Sequence, residues 1–497
     1  MKKNRLFSII SFFILLIVSL VFSYFVYRSQ LIPVRLLFIG LIAYAIVVIL
    51  LALLIFRSKS KFLSMIGAVL CIILCIAFLT ATLYLNRAVN AAQNITKTKV
   101  EVASIGVYML ADEVNENTAL TIDMTYGILE QQDRKNTDEV IKKLEEEFGK
   151  TLKTKSYEKL PSLWDALRDH EVDAMIVNSA LLQLADEMPG YEKIQEEIRE
   201  VRKTQIVTEK PVKNEIKPET NQDTSPELDP EPSLEPKSKP FVVYISGIDT
   251  REDELVENSR SDVNIIAAVN PETHQVLLIT TPRDYYVPLK FPEYTTSRDK
   301  LTHAGIYGVQ VSMDTLGLLY DVNIDYYFRV NFTGFVDIVE ALGGVTVEVE
   351  KEFSTTEYTF PEGPNELNGY KALSFVRNRF GIGDQQRGRN QMAFIKGVIK
   401  KAVSSDMLLN FNEVLKSVEG SFETSMPYDV VSALVRDQIE SGGDWNVVSY
   451  AVTGSGNSAI PYSMNIEVYV MDPDYETVDT AKDLIQQLFD GKTISAP

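Results

Sequence analysis

The sequence predicts an α/β protein held to a membrane by three helices. Three observations carry that prediction. Apolar runs at 6–26, 31–56 and 62–84 fill most of the first 90 residues. Beyond them, strand-like and helix-like runs alternate. A stretch rich in Pro, Glu, Lys and Ser at 211–239 divides that remainder into a small part and a large one. At 497 residues the chain is too long for one ordinary core and suits two to four domains.

A helix rises about 1.5 Å per residue, so roughly 20 residues cross a ~30 Å hydrocarbon core. Each run is long enough. The first lacks a small-residue cleavage site and two more spans follow it, which argues against a signal peptide. Lys2, Lys3 and Arg5 precede the first span, and Arg57, Lys59 and Lys61 lie between the second and third. These basic flanks place the N-terminus in the cytoplasm and everything beyond the third span outside. The predicted organisation is a membrane region at 1–90, a small α/β accessory domain at 98–210, a linker at 211–239 and a large α/β domain at 240–495.

The chain has a net charge of -19. All 68 acidic residues lie beyond Arg87, with 40 of the 49 basic ones, which leaves the outer part near -28. Such a surface repels nucleic acid. The only cysteines, Cys71 and Cys75, lie within the third span, so no disulfide staples the outer part and it must fold by burying a core. The 211–239 segment nearly lacks aliphatic residues and cannot offset its ordering entropy by burial.

In the small domain, VASIGVYML (102–110) and DAMIVNSA (173–180) read as strands. NTDEVIKKLEEEFG (136–149) reads as a helix capped by Thr137 and ended by Gly149. Trp164, Ala166 and Leu167 suit a second helix, and His170 a surface position. In the large domain, FVVYISG (241–247), DVNIIAAVN (262–270) and QVLLITT (275–281) are strands, the last two joined as a hairpin through PETH. A helix over FTGFVDIVEALGG ends at Gly343, and VTVEVE (345–350) alternates as a half-buried strand. A helix striped by Phe394, Ile395, Val398 and Ile399 follows. A strand at 447–452 and a helix at 480–488 complete a sheet with helices on its faces.

The hairpin has a geometric consequence. With its midpoint near Glu272, residues whose numbers sum to about 544 lie opposite each other. Arg260 and Asp262 then face Arg283 and Asp284 at one sheet edge, where GIDTR (247–251) can add Asp249 and Arg251. Against the overall charge, the run 375–394 gathers Arg377, Arg379, Arg387 and Arg389. Residues two apart share a face only in extended chain, so these arginines converge if both pieces are extended or if they flank a helix starting near Arg389. Such a start would also aim free N–H groups at the same place. Guanidinium forks match phosphate oxygens. Carboxylates such as Asp249 and Asp262 suit Mg²⁺. Together they suggest metal-assisted phosphoryl transfer; the plainer alternative is surface pairing of arginines with the many acids. His303 is the only histidine near the site, and without cysteines outside the membrane it builds no zinc centre. No P-loop or G-x-S-x-G sequence is present.

At these residues the chain resembles the LytR–CpsA–Psr family. The matching pieces are GIDTR (247–251), RSD (260–262), TPRD (281–284), KLTHA (300–304) and IDYYFRVNFTGF (324–335), followed by ALGGV (341–345), LNGYKAL (367–373), RNR (377–379) and DQQRGRNQ (384–391). The spans and the extra domain look like members encoded with capsule genes. The resemblance implies an α/β catalytic domain with a central mixed sheet flanked by helices. It implies transfer of a capsular or similar anionic glycopolymer from polyprenyl-pyrophosphate lipid to peptidoglycan, outside the membrane, with Mg²⁺ or Mn²⁺. Asp249 and Asp262 would hold the metal. Arg260, Arg283, Arg377, Arg379 and Arg389 would clamp the pyrophosphate, with Arg387 and Gln391 beside them. Asp262, Arg283, Arg377 and Arg379 would carry catalysis, Asp262 as one candidate base. The polyprenyl chain would lie in an apolar groove between sheet and helices, and a capsule biosynthesis complex would be a further partner. Members often have Arg where this chain has Asn390. Two alternatives remain open here: a non-catalytic regulator or scaffold of capsule assembly, and a phosphatase acting on lipid pyrophosphate.

Overall fold

The computed structural model describes residues 2–29, 32–57, 60–95, 99–210, 239–248, 258–291, 295–378, 383–404, 407, 411–464 and 466–495. Nearly all of the expected linker lies outside these residues, as do Asp249, Arg251 and Arg379. The chain forms two compact units. One comprises Met1–Lys97, Ile399–Glu419 and Met426–Asp444; the other comprises Thr98–Val398, Gly420–Ser425 and Trp445–Pro497.

In the first unit, helices α1 (Lys2–Ser29), α2 (Val34–Ala52) and α3 (Lys61–Ile95) form the apolar part. Their stretches Arg5–Ser29, Val34–Arg57 and Lys61–Arg87 are long and apolar enough to cross a membrane. Pro33 sits at the N-cap of α2, where its missing N–H costs nothing. Phe22 and Phe78 stack at 4.8 Å between centroids. Cys71 and Cys75 are buried and unbonded. Tyr428, which opens the helix Tyr428–Ser441, donates to the Ser29 carbonyl at 3.1 Å.

The second unit begins with the accessory module. Its strands β1 (Lys99–Leu110), β2 (Thr125–Leu129), β3 (Lys153–Tyr157), β4 (Ala174–Asn178) and β5 (Ile198–Lys210) form one sheet in the order β3-β2-β4-β1-β5. Helix α4 (Arg134–Phe148) covers one face through Val140 and Leu144. Helix α5 (Leu160–Arg168), a 3-10 helix at Ser179–Glu187 and the short α6 (Ile194–Glu197) lie with the other core. The expected cap at Thr137 is displaced. The chain turns into α4 at Asp133, whose φ is 50°, so Thr137 falls inside the helix with its hydroxyl donating to the Asp133 carbonyl at 3.1 Å. Gly149 ends the helix at φ 68° as expected.

The larger sheet is mixed, with strands β6 (Phe241–Ile248), β7 (Ser261–Asn270), β8 (Gln275–Thr281), β11 (Tyr326–Val330), β16 (Glu423–Thr424) and β17 (Asn446–Ala451) in the order β16-β11-β6-β7-β8-β17. Two-stranded ribbons flank it: β9 (Tyr286–Lys290) with β10 (Thr295–Lys300), β12 (Val345–Val349) with β15 (Gly363–Leu367), β13 (Phe353–Ser354) with β14 (Thr359–Phe360), and β18 (Gly454–Ala459) with β19 (Val468–Pro473). After β10 come α7 (Leu301–Ala304) and α8 (Val309–Tyr320); later come α9 (Phe332–Ala341), α10 (Gly369–Arg377), α11 (Gly383–Ala402) and α12 (Tyr475–Phe489).

Strand alternation sorts the two faces. Val242, Tyr244, Ile266, Ala268, Leu277 and Ile279 point to one side, where α8 and α12 bury them. Ile245, Val263 and Phe328 alternate to the other, and the flanking α9 residues Phe332, Phe335, Val336 and Ile338 stay half-buried. The module and this domain share one apolar cluster: Leu181 and Leu184 of the module lie with Ile306 and Met464, all fully buried.

Candidate active site

The site is built where β6 and β8 end and β7 begins. The β7–β8 ladder pairs Asn264 with Thr281 and Asn270 with Gln275, so opposed numbers sum to 545, one more than expected. Asp262 therefore faces Arg283. The Arg283 Nη1 donates to Asp262 Oδ1 at 2.8 Å, and its Nε lies 3.6 Å from Asp284 Oδ2. Below this pair is a buried hydroxyl floor. Tyr244 donates to Asn264 Oδ1 at 2.7 Å, and its hydroxyl lies 2.9 Å from that of Ser261, which is 2.7 Å from that of Ser246. These bonds satisfy polar groups that burial would otherwise penalise.

The DKLTHAG run, 299–305, supplies the adjoining wall. Backbone N–H groups of Leu301 and Thr302 donate to the carbonyls of Tyr285 and Arg283, both at 2.9 Å. The Thr302 hydroxyl reaches Asp262 Oδ1 at 3.5 Å. Gly305 lies so close to the Ser259–Ser261 backbone that a Cβ there would come within 2.4 Å of the Ser259 carbonyl. Only glycine lets α7 press against the start of β7.

This packing lines up alternating charges. The Lys300 ammonium lies 3.3 Å from Asp284 Oδ1 and 2.6 Å from Glu187 Oε2; Glu187 Oε1 accepts from Arg260 Nη1 at 3.0 Å. The succession Asp262, Arg283, Asp284, Lys300, Glu187, Arg260 thus alternates in sign. The buried His303 has Nδ1 2.7 Å from Asp299 Oδ1 and Nε2 4.0 Å from Glu187 Oε2. Ser463 donates its N–H to Asp299 Oδ2 at 2.8 Å. Burial disfavours ionisation of Glu187, but His303, Lys300 and Arg260 outweigh it and hold the carboxyl at about 2. For Arg283, burial opposes the charge while Asp262 and Asp284 favour it more, so its guanidinium stays firmly protonated.

Comparison with known proteins bears on this arrangement. The LytR_cpsA_psr family model matches residues 201–482, more than half of the chain. The chain belongs to the LytR–CpsA–Psr family. The polyisoprenyl-teichoic acid–peptidoglycan teichoic acid transferase TagU of Enterococcus faecalis is 32% identical over 227 residues, 45% of this chain and 74% of that one. TagU of Bacillus subtilis is 31% identical over 223 residues, covering 44% and 70%. Among solved structures, B. subtilis TagV aligns at 25% identity with a TM-score of 0.43, over 52% of this chain and 99% of that one.

Of the residues the sequence proposed for a LytR–CpsA–Psr site, Arg260, Asp262 and Arg283 meet at the strand ends. Arg260, expected as a phosphate clamp, is engaged by Glu187. Asp249 and Arg379 lie outside the described residues. Arg377 is the exposed last residue of α10, with its guanidinium 4.1 Å above the Phe332 ring. The helix after it begins at Gly383 rather than near Arg389. Arg387 and Arg389, two apart on α11, consequently diverge: Arg387 is buried, whereas Arg389 is exposed and donates to Gln386 Oε1 at 2.9 and 2.6 Å. Gly388 brings α11 within reach of Thr280, near the end of β8. Gln391, also expected at the phosphate, donates to the Val376 carbonyl at 3.3 Å, and Asn390 to that of Phe375 at 3.3 Å. Both cap the C-terminal turn of α10 and so anchor the backbone at Arg377.

Sequence reasoning left Glu187, Asp299, Lys300 and Thr302 out of the site. The spacing of Asp299 and His303 was available as a signal; Glu187 carries none in its neighbourhood. For a metal, no group of three or more His, Cys, Asp or Glu is arranged to hold one among the described residues. Asp262 nonetheless offers a partly exposed hard-oxygen carboxylate. One or two carboxylates with substrate phosphate suffice for Mg²⁺, so the residues fit such an ion bound together with substrate.

Proposed function

We propose that this chain is a membrane-anchored transferase. It moves an anionic glycopolymer, a capsular polysaccharide or similar, from a polyprenyl-pyrophosphate carrier to peptidoglycan at the outer membrane face. The observation that carries the reading is the chain of alternating charges around Arg283 at the strand ends, in a family whose similar members are named as teichoic acid–peptidoglycan transferases. The basic flanks of the apolar helices support the orientation. The half-buried apolar side chains of α9, with Phe335 packed against Phe394 of α11, support a place for the polyprenyl chain.

In the proposed reaction an acceptor hydroxyl of the wall attacks the sugar-side phosphorus. A new P–O ester forms, the anhydride P–O bond breaks, the polyprenyl phosphate leaves with the bonding pair, and the acceptor's hydroxyl proton passes to that leaving phosphate or to solvent. The anhydride supplies the driving force. Arg283 and Arg377 would hold phosphate oxygens and stabilise charge on the leaving group. Mg²⁺ or Mn²⁺, held by Asp262 with Asp249, would add Lewis-acid stabilisation of the diphosphate. Arg283 already holds the Asp262 carboxylate at 2.8 Å, so the part of Asp262 here is ligation and orientation.

The test is Arg283→Ala in the full chain, with labelled lipid-linked polymer and peptidoglycan. Transfer should fall by about 100-fold, and in cells the polymer should appear in the medium. Wall-bound polymer at normal levels would overturn the reading. Label released as free polymer without an acceptor would identify a phosphatase instead.

A further inference from the structure

We propose that Glu187 of the accessory module is a positioning residue of this active site. It fixes Lys300 and Arg260, and its negative charge restrains the site's affinity for the diphosphate. The inference rests on the transferase reading above.

Glu187 comes from a module with a sheet of its own, yet its two carboxylate oxygens are taken by two cations of the larger domain, Arg260 at 3.0 Å and Lys300 at 2.6 Å. Both cationic side chains are nearly buried, at 11% and 6% exposure, so they have little water to fall back on. The carboxylate is not a loose surface group. It ends the 3-10 helix Ser179–Glu187, whose start is fixed by Asn178 Oδ1 accepting from the Ala180 N–H at 2.9 Å. One turn earlier, Gln183 Oε1 accepts from the Arg260 backbone N–H at 3.4 Å. Leu181 and Leu184 of the same helix share the buried cluster with Ile306 and Met464. Away from the helix, Lys159 Nζ and Gln132 Nε2 both donate to the Tyr462 carbonyl, at 2.6 and 3.2 Å. Apolar packing and polar bonds on several elements therefore hold the module in place, and Glu187 with it.

The consequence runs along the charge alternation. Lys300 is shared between Glu187 and Asp284, Asp284 also faces Arg283, and Arg283 holds Asp262. Without the Glu187 charge, Lys300 has Asp284 as its remaining anion and is drawn toward it. Asp284 then competes less well for Arg283, and the Arg283–Asp262 geometry shifts. At the same time the site loses a negative charge and becomes a stronger anion trap. A residue acting in this way governs turnover and binding in opposite directions. A purely structural residue would move them together.

The experiment uses the full chain in detergent, with geranyl pyrophosphate and Mg²⁺ as the binding probe and labelled polymer transfer as the rate. In Glu187→Gln the probe should bind about threefold tighter or more, while turnover falls about tenfold. Glu187→Asp keeps the charge on a shorter stem; it should bind as the wild type does and turn over more slowly. Weaker binding together with slower turnover in Glu187→Gln would overturn the proposal, as would no change in either. If Glu187→Gln fails to fold, Glu187→Asp decides: unchanged turnover or lost affinity overturns the proposal. An Arg283→Ala control separates the two layers. Full transfer and probe binding in that variant would remove the reading of the site itself, whatever Glu187 does.

Discussion

At the scale of single residues, the accessory module carries a second acid of consequence. Asp133 is largely shielded from solvent, and burial pushes its carboxyl up to about 6 although Asn178 and Asn136 each donate to it at 2.6 Å. The ordinary value is about 3.9. Between these two values the native state binds more protons than the unfolded chain, so stability falls as pH rises from about 4 to about 6. Asp133→Asn cannot ionise and should lose that slope. Relative to wild type, its unfolding free energy should gain about 2 kcal/mol between pH 4 and pH 7, as read by denaturant unfolding at both pH values. Parallel behaviour of the two proteins would sink the assignment. Glu187 has the opposite sign. Its depressed carboxyl stabilises the fold above the ordinary carboxyl range, and that contribution fades as pH falls toward 2. Because Asn178 both donates to Asp133 and caps the helix that carries Glu187, the two acids are mechanically linked.

At the scale of elements, two close approaches position the site. The first is α7 against the start of β7 at Gly305. In Gly305→Ala the new methyl meets backbone at Ser259 and Ser261 rather than a flexible side chain, so α7 must shift. A loss of about 2 kcal/mol is expected, and transfer should fall further than stability alone explains, since Lys300 and Asp262 separate. Wild-type melting temperature and activity in that variant would contradict the packing argument. The second is the α10–α11 junction, where Asn390 and Gln391 satisfy carbonyls that the end of α10 leaves without helical partners. Gln391→Leu leaves the Val376 carbonyl buried without that donor and should cost about 1–3 kcal/mol. Thermal unfolding checks it, and a neutral result would return Gln391 to a direct role at phosphate.

At the scale of the whole molecule, three helices are long and apolar enough to cross a membrane, and the proposed reaction requires the rest of the chain to lie outside it. The natural cysteines, Cys71 and Cys75, are both buried within the third apolar helix. A cysteine introduced at the exposed Glu192 therefore reports topology cleanly. In intact cells an impermeant maleimide should label Glu192→Cys at close to the level seen after lysis. Labelling only after lysis would place the module inside and end the transferase reading. The accessory module is also more than an appendage on a tether. It shares a buried cluster with Ile306 and Met464, so a chain lacking 98–210 would expose that surface and is expected to aggregate.

Much of this was legible along the chain. Hydrophobic period and length marked the three apolar helices, the β7–β8 hairpin and the α9 helix, because each is decided by neighbours a few residues away. The hairpin arithmetic placed Asp262 opposite Arg283 to within one residue, since register follows from the turn. Other features depended on segments far apart in sequence. The helix beginning at Gly383 separates Arg387 from Arg389, which only extended chain or a helix start near Arg389 would bring together. Gln391 turned to a helix end. Glu187 reached Lys300 across 113 residues, with no local pattern to announce it. The sequence by itself determined the elements, the apolar helices and the family's motifs, which are local properties of composition and spacing. The tertiary structure alone decided which charges neutralise which. A buried ion pair is chosen by three-dimensional distance and shared desolvation, and neither is encoded within any one stretch of chain.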